Sequence, residues 1–295
     1  MPAERKAGCL YLVATPIGNL ADISRRAAEI LGSVDFVFAE DTRHTRKLMS
    51  HLDISVPLRA YHQHNEAKAT PIALEQLVAG AQVALVSDAG TPAVSDPGAR
   101  LVEAAIAADI RVVPIPGPSA VLAALVASGL PTERFTFLGY PPRKAGELKR
   151  FLDASRDDPG TLVLLESPRR LATTLAAAAT SFGDDRRVCI AREMTKAHEE
   201  FIRGSLAELI ERIDSPPRGE VTLVIEGHLE QAPGPVSDEE IVKRYSTLLA
   251  QGLKPREALK ELAQATGMRR RDVYGAIHLV SDTTDPDDDP AGDTI

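Results

Sequence analysis

The sequence predicts an α/β fold with mostly parallel strands, and three observations predict it. Apolar runs of strand length alternate with helical patterns from Leu10 to Ile225, the pattern of strands joined by covering helices. Gly- and Pro-bearing loops follow the runs that end at Ala14, Val86 and Ile115, where open α/β sheets place small ligands. Hydrophobic residues make up 44% of the chain while aromatics are 4% and Trp is absent, so the cores are built from Ala, Val, Leu and Ile.

Leu10–Ala14 is the first buried strand, followed by the turn Thr15-Pro16-Ile17-Gly18-Asn19-Leu20. Asp22 is placed to cap a helix carrying Ile23, Ala27, Ile30 and Leu31 on one face. Val34–Ala39 is a second strand and runs into Glu40-Asp41-Thr42-Arg43-His44-Thr45-Arg46-Lys47. That segment opens a helix whose only apolar residues are Leu48, Met49 and Leu52. A short strand, Leu58–Tyr61, leads through His62-Gln63-His64-Asn65-Glu66 to a helix ending near Val78. The central strand Val83–Val86 then breaks into Ser87–Gly98, a loop with two Gly, two Pro and two Asp. Connections of this kind are usually about two to six residues long, so it reads as a binding loop, with Gly90 admitting close approach and Pro92 and Pro97 stiffening it. A helix over Ala99–Ala108, a strand over Arg111–Ile115 and a helix opening at Pro116-Gly117-Pro118-Ser119-Ala120 complete a first domain, residues 8–128.

Gly129 and Pro131 mark a boundary. A second domain, residues 129–230, has strands at Phe135–Leu138, Thr161–Leu165, Arg187–Ala191, Phe201–Arg203 and Val221–Ile225, with helices at Arg169–Ala179 and Leu206–Ile213. Its mixed order predicts antiparallel pairs. After the linker Gln231–Pro235, residues 237–281 show three helical patterns, Asp238–Leu249, Pro255–Ala265 and Arg269–Leu279, a helix-turn-helix-like module. Residues 282–295 form an acidic tail expected to be disordered.

The formal charge is −8, but six of those charges are aspartates of the tail, which leaves the rest near neutral. Net charge therefore selects no partner, and local clusters must. Cys9 and Cys189 lie in apolar runs and read as reduced core residues of a cytoplasmic protein. No metal-ligand cluster, dinucleotide fingerprint or Walker sequence is present, the N-terminus lacks a signal-peptide pattern, and no apolar run is long enough to span a membrane. Three strand-end loops in one domain fit a nucleoside-like cofactor held without a phosphate grip.

Six motifs in order carry a resemblance: Thr15–Leu20, Ala39–Arg43, Tyr61–Glu66, Ser87–Pro92, Glu166-Ser167-Pro168-Arg169-Arg170 and Arg192-Glu193-Met194-Thr195-Lys196. With Pro116–Ala120, they make the chain resemble the tetrapyrrole (corrin/porphyrin) methylase superfamily. Within it, they resemble the bacterial branch that 2′-O-methylates a cytidine ribose of small-subunit ribosomal RNA. Thr15 and Thr91 depart from the tetrapyrrole-acting members, which have a glycine and an aspartate there. The resemblance implies the two-domain tetrapyrrole-methylase-like fold (class III methyltransferase), S-adenosylmethionine as cofactor, ribosomal RNA or the small subunit as partner, and a homodimer. It places Pro16, Asp88, Ala89, Gly90, Thr91, Ser95, Ser119, Ala120, Leu165 and Thr222 around the cofactor.

Transfer to a ribose hydroxyl needs positioning and help in losing a proton. The candidates are Asp41, Glu193 and Lys196, with His44 and Glu166 behind them. Each has a plainer reading. Asp41 fits a helix N-cap, and Glu193 an ion pair with Arg192 or Arg169. Lys196 serves as a base only if its pKa is lowered, and otherwise steadies an oxyanion. His62 and His64 read as hydrogen-bonding residues of the core or a hinge. The basic clusters with RNA in reach are Arg43 with His44, Arg143 with Lys144, Arg169 with Arg170, and Arg269, Arg270 and Arg271 opening the last helix. A tetrapyrrole C-methyltransferase and a silent RNA-binding assembly protein are the alternatives. The departures at Thr15 and Thr91 and the basic helical module stand against the first, and the small residues of Asp88–Thr91 against the second.

Overall fold

The structure is a computed structural model that describes residues 8–212, 219–228 and 237–281. Residues 282–295, and with them the expectation of a disordered tail, lie outside the described residues, as does the linker Gln231–Pro235. The chain divides into two compact units, residues 1–228 and 229–295.

The first unit holds two five-stranded sheets. The first contains β1 (Cys9–Val13), β2 (Phe36–Ala39), β3 (Leu58–Ala60), β4 (Gln82–Val86) and β5 (Arg111–Ile115) in the order β3-β2-β4-β1-β5, all parallel. Helices cover both faces, which is why its inner strands β1, β2 and β4 are almost wholly apolar rather than alternating. On one face Leu10, Phe38, Val83 and Leu85 meet Ala73 and Leu77 of α3 (Glu66–Val78) and Leu101 and Ala105 of α4 (Ala99–Ala107). On the other, Val13, Val37 and Ala84 meet Ala27 and Leu31 of α1 (Arg25–Ser33) and Met49 of α2 (Thr42–His51). Ser24, not Asp22, caps α1, accepting from the Ala27 amide at 3.1 Å. Asp22 instead ends a 3₁₀ turn, Leu20–Asp22, capped by Asn19.

The second sheet contains β6 (Phe135–Gly139), β7 (Thr161–Glu166), β8 (Arg187–Arg192), β9 (Glu200–Ser205) and β10 (Val221–Ile225) in the order β6-β7-β10-β8-β9. Only β6 and β7 are parallel, and β10 runs antiparallel to both of its neighbours. One face (Val163, Cys189, Ala191, Val224) packs on Ala124 and Leu125 of α5 (Ala120–Ser128). The other (Leu162, Leu164, Ile190, Leu223) packs on α6 (Ala145–Asp153), α7 (Leu171–Phe182) and α8 (Leu206–Arg212). Helix α5 thus follows the last strand of one sheet and covers the next. Cys9 and Cys189 are both buried and unpaired.

The second unit is a bundle of α9 (Asp238–Ala250), α10 (Pro255–Thr266) and α11 (Arg270–Ser281). Ile241, Leu262, Val273 and Ala276 form its small core. Ser237 caps α9, Pro255 occupies the first turn of α10, and Gly267 closes α10 in the left-handed conformation. Among the described residues, no helix is long and apolar enough to cross a membrane.

Candidate active site

Strand order assembles the site. Because β2, β4, β1 and β5 are neighbours, the loops at their carboxyl ends come side by side. Thr15 and Gly90 form an isolated bridge, their amides and carbonyls exchanging bonds of 2.9 and 3.0 Å, and Thr15 Oγ1 donates to the Ser87 carbonyl. The Asp41 amide donates to Asp88 Oδ1 at 2.9 Å, tying the β2 and β4 loops together. Gly117, after β5, lies so near Ala14 that a Cβ would stand 3.0 Å from the alanine methyl.

Opposite these loops, the second sheet supplies the end of β7, the start of β10 and the loop after β8. Leu165 and Thr222 are directly paired, so both side chains project on the same face. The cleft between has two connecting parts. One, of about 420 Å³, is bounded by Asp88, Ala89, Gly90 and Thr91, by Ser119 and Ala120, and by Leu165, Thr222 and Met194. The other, of about 470 Å³, is bounded by Thr15, Pro16, Ile17, Gly18, Ser87 and Lys196, and by His44 and Lys47 of α2. Backbone strain concentrates here: Ala93 and Ser95 after β4, and Glu193 and Thr195 after β8, all have φ between +50° and +66°, positions that non-glycine residues occupy only when their surroundings force them.

The two parts differ in charge. Glu40, Asp88, Asp96, Glu166 and Glu220 border the first, with no Lys, Arg or His among its described lining residues. Burial first, then the charges of Asp96 and Asp88, push the Glu40 carboxyl above its ordinary range. Burial likewise raises Asp96, against a Ser87 hydrogen bond that lowers it and with Asp88 adding to the rise. Carboxyls held this way gain from a neighbouring cation. The second part shares Asp88 and Glu220 with the first and adds His44, Lys47 and Lys196.

Lys196 Nζ donates to Glu193 Oε1 at 2.9 Å and to Glu220 Oε2 at 3.1 Å. Burial pulls its pKa down, but the two carboxylates outweigh burial and hold it above the ordinary lysine value. Lys196 is therefore a protonated cation at neutral pH, not a base. The hydrogen bond from Lys196 holds Glu193 below the ordinary carboxylate range. Glu193 thus pairs with Lys196, whereas Arg192 pairs with Glu200. Two glycines make room: a Cβ on Gly18 would stand 2.6 Å from Lys196 Cγ, and one on Gly219 would overlap the Glu193 carboxylate.

Pro16, Asp88, Ala89, Gly90, Thr91, Ser119, Ala120, Leu165 and Thr222 all border the cleft. Ser95 is not among its lining residues; its hydroxyl faces Gly139. Asp41 is the N-cap of α2, accepting from the Arg43 amide at 2.8 Å and from its guanidinium. That hydrogen bonding holds its carboxyl below the usual range and makes it a weaker proton acceptor than a free carboxylate. His62 Nδ1 is buried without a hydrogen-bond partner, unlike the bonded core or hinge histidine expected.

Among the basic candidates, Arg43, His44, Arg143, Lys144, Arg169, Arg269, Arg270 and Arg271 are exposed. Arg170 is not available: its guanidinium donates to the Pro141 and Pro142 carbonyls at 3.0 and 2.6 Å and lies 3.6 Å from Glu166, whose side chain is fully buried. It fastens the β6–α6 loop beneath the cleft. Glu40, Asp96, Tyr140 and Glu220 line the cleft too, although none of them is among the residues the sequence singles out. The first two stood in segments already singled out, next to Asp41 and within the Ser87–Gly98 loop.

Comparison with known proteins gives the family. The model of the Tetrapyrrole (Corrin/Porphyrin) Methylases family matches residues 9–210. Ribosomal RNA small subunit methyltransferase I of Synechocystis sp. is 45% identical over 268 residues, covering 90% of this chain and 96% of that protein. The protein of the same name from Mesorhizobium japonicum is 44% identical, with 96% of each chain covered. Among solved structures, uroporphyrin-III C-methyl transferase from Thermus thermophilus complexed with S-adenosylhomocysteine shares the fold at a TM-score of 0.52 and 18% identity, covering 74% of this chain and 97% of that one. The chain therefore belongs to the tetrapyrrole methylase family of methyltransferases, in the group of the ribosomal RNA small subunit methyltransferase I proteins.

Proposed function

We propose that this enzyme transfers the methyl group of S-adenosylmethionine to the 2′-hydroxyl of a cytidine in small-subunit ribosomal RNA. The charge division of the cleft carries the reading. The cofactor supplies a methyl group on a sulfonium cation, and the residues present fit it: the half-buried, closely set carboxyls of Glu40, Asp88 and Asp96 offer a cationic ligand a favourable site. Ala120, Val121, Leu165 and Met194 give the same part apolar walls. An RNA phosphate is repelled there and drawn to the other part, where Lys47, His44 and the exposed Arg43 and Arg46 of α2 stand.

In this reading the ribose hydroxyl gives up its proton to water, Lys196 steadies the negative charge that develops on the oxygen, and Glu193 and Glu220 hold its ammonium in place. Asp41 fixes the start of α2 and thereby His44 and Lys47. Arg143, Lys144 and Arg169 of the first unit, and Arg269, Arg270 and Arg271 of the second, extend the contact to RNA. The enzyme works as a homodimer in the cytoplasm; Leu122 and Val126 of α5 and Ile106 of α4 are exposed apolar side chains of the kind a dimer covers.

The test is transfer of radiolabelled methyl to small ribosomal subunits lacking the modification, with a porphyrin precursor offered in parallel and the RNA digested to nucleosides. Label in 2′-O-methylcytidine supports the proposal. Label in the macrocycle, or on a base, refutes it.

A further inference from the structure

Helix α11 has two unlike faces. Val273 and Ala276 enter the core of the second unit, with Ile277 packed beside them. This turns Arg270, Tyr274 and His278 outward, four residues apart and hence stacked along one face. Arg271 is exposed beside them. The Tyr274 ring lies 4.3 Å from that of His278, and Tyr274 is 55% exposed. In a chain with only five Tyr, seven Phe and no Trp, leaving such a ring in water needs a reason. Tyr140, the other exposed tyrosine, lines the cleft.

Charge points the same way. Before the acidic tail, residues 237–281 carry eight Lys and Arg against six Asp and Glu, whereas residues 1–236 carry 26 against 30. Of the arginines opening α11, Arg271 pairs with Asp272, while Arg269 and Arg270 make no ion pair among the described residues.

We propose that the outer face of α11 is a binding platform for unpaired RNA, on which a base stacks against Tyr274 and His278 while Arg269 and Arg270 hold the flanking phosphates. Exposed aromatics beside cations match single strands, because each base presents a π-face that a duplex hides in its own stack. An acidic protein surface would use the arginines and leave the rings idle. The proposal rests on the reading of RNA as substrate and adds to it that the second unit holds that RNA single-stranded.

The test uses the full-length protein and a fluorescein-labelled single-stranded oligoribonucleotide, alone or annealed to its complement, followed by anisotropy across a salt series. Tyr274→Ala is expected to weaken single-strand binding about tenfold at every salt concentration, with Tyr274→Phe restoring it. Arg270→Gln is expected to lower the slope of log affinity against log salt by about 0.7. Duplex binding should be indifferent to Tyr274→Ala. The platform is overturned if Tyr274→Ala binds the single strand within about twofold of the parent chain, or loses single strand and duplex alike. A parent chain that binds S-adenosylmethionine but no RNA overturns the substrate reading as well, so the two failures are distinct. Far-ultraviolet circular dichroism and thermal unfolding of each variant verify that the helices of the second unit stay folded.

Discussion

Replacing Gly18 by alanine probes the reaction centre without removing any polar group. The backbone at Gly18 lies outside the left-handed region, so alanine meets no torsional penalty and the effect is steric. Its Cβ would stand 2.6 Å from Lys196 Cγ and 2.7 Å from Thr195 Oγ1. Carbons rest at about 3.5 Å or more, so the lysine stem must withdraw by roughly 1 Å. Thr195 cannot yield easily, being held at φ +66° with its amide bonded to Glu199. Such a shift takes the Lys196 ammonium off its bonds to Glu193 and Glu220. Misplacing a reacting group by this much costs up to about a hundredfold in rate, while overpacking costs about 1–3 kcal/mol of stability. Steady-state methyl transfer should therefore show kcat falling by one to two orders of magnitude. S-adenosylmethionine binding by calorimetry should hold within about threefold, because the cofactor part of the cleft is untouched. In a Lys196→Ala background the alanine at 18 should cost far less, since most of what it strikes is gone. A Gly18→Ala enzyme with unchanged kcat would refute the placing of Lys196 at the transferring oxygen.

Two further outcomes follow from the same structure. Arg170→Gln strips the Pro141 and Pro142 carbonyls of their donor and leaves the buried Glu166 carboxylate without its cation. It should destabilise the protein by about 3 kcal/mol in denaturant unfolding, and a loss below about 1 kcal/mol would show the arginine to be a surface group after all. Ala120→Phe fills the cofactor part of the cleft from the first turn of α5 and should abolish S-adenosylmethionine binding with the thermal midpoint nearly unchanged. Retained binding would move the cofactor elsewhere.

Much of this was legible in the sequence, for identifiable reasons. Strands covered on both faces are uniformly apolar, so Phe36–Ala39, Val83–Val86 and Val221–Ile225 announce themselves. The loops that form the cofactor part stand out because Gly and Pro punctuate them. Helix α6 was missed: Gly146 sits in its first turn and only Leu148 and Leu152 are buried, a weak apolar stripe. Asp22 and Ser24 are both good caps, and only the packing of Ala27 and Leu31 decides for Ser24. The roles of the polar residues were the least legible. Glu220 meets Lys196 from 24 positions away, Glu193 prefers that lysine to its neighbour Arg192, and Arg170, one residue from the exposed Arg169, turns inward. Such pairings depend on how β7, β8 and β10 lie beside one another, which no local pattern encodes.

The charge division of the cleft is the central claim, and calorimetry of S-adenosylmethionine against S-adenosylhomocysteine tests it most directly. Glu40 and Asp96 have raised carboxyl pKa values. In the free protein they disfavour the fold as pH rises through those values, and as pH falls they take up protons before ordinary carboxylates do. A bound cation gains from their charge only above that range. S-adenosylmethionine affinity should therefore fall on acidification at a pH above that at which ordinary carboxylates take up protons, and that of S-adenosylhomocysteine, which lacks the sulfonium charge, should fall less. Glu40→Gln with Asp96→Asn should raise the thermal midpoint at neutral pH, weaken S-adenosylmethionine about tenfold and flatten its pH dependence. A double variant that binds S-adenosylmethionine as tightly as the parent chain, with both ligands responding alike to pH, would contradict the account.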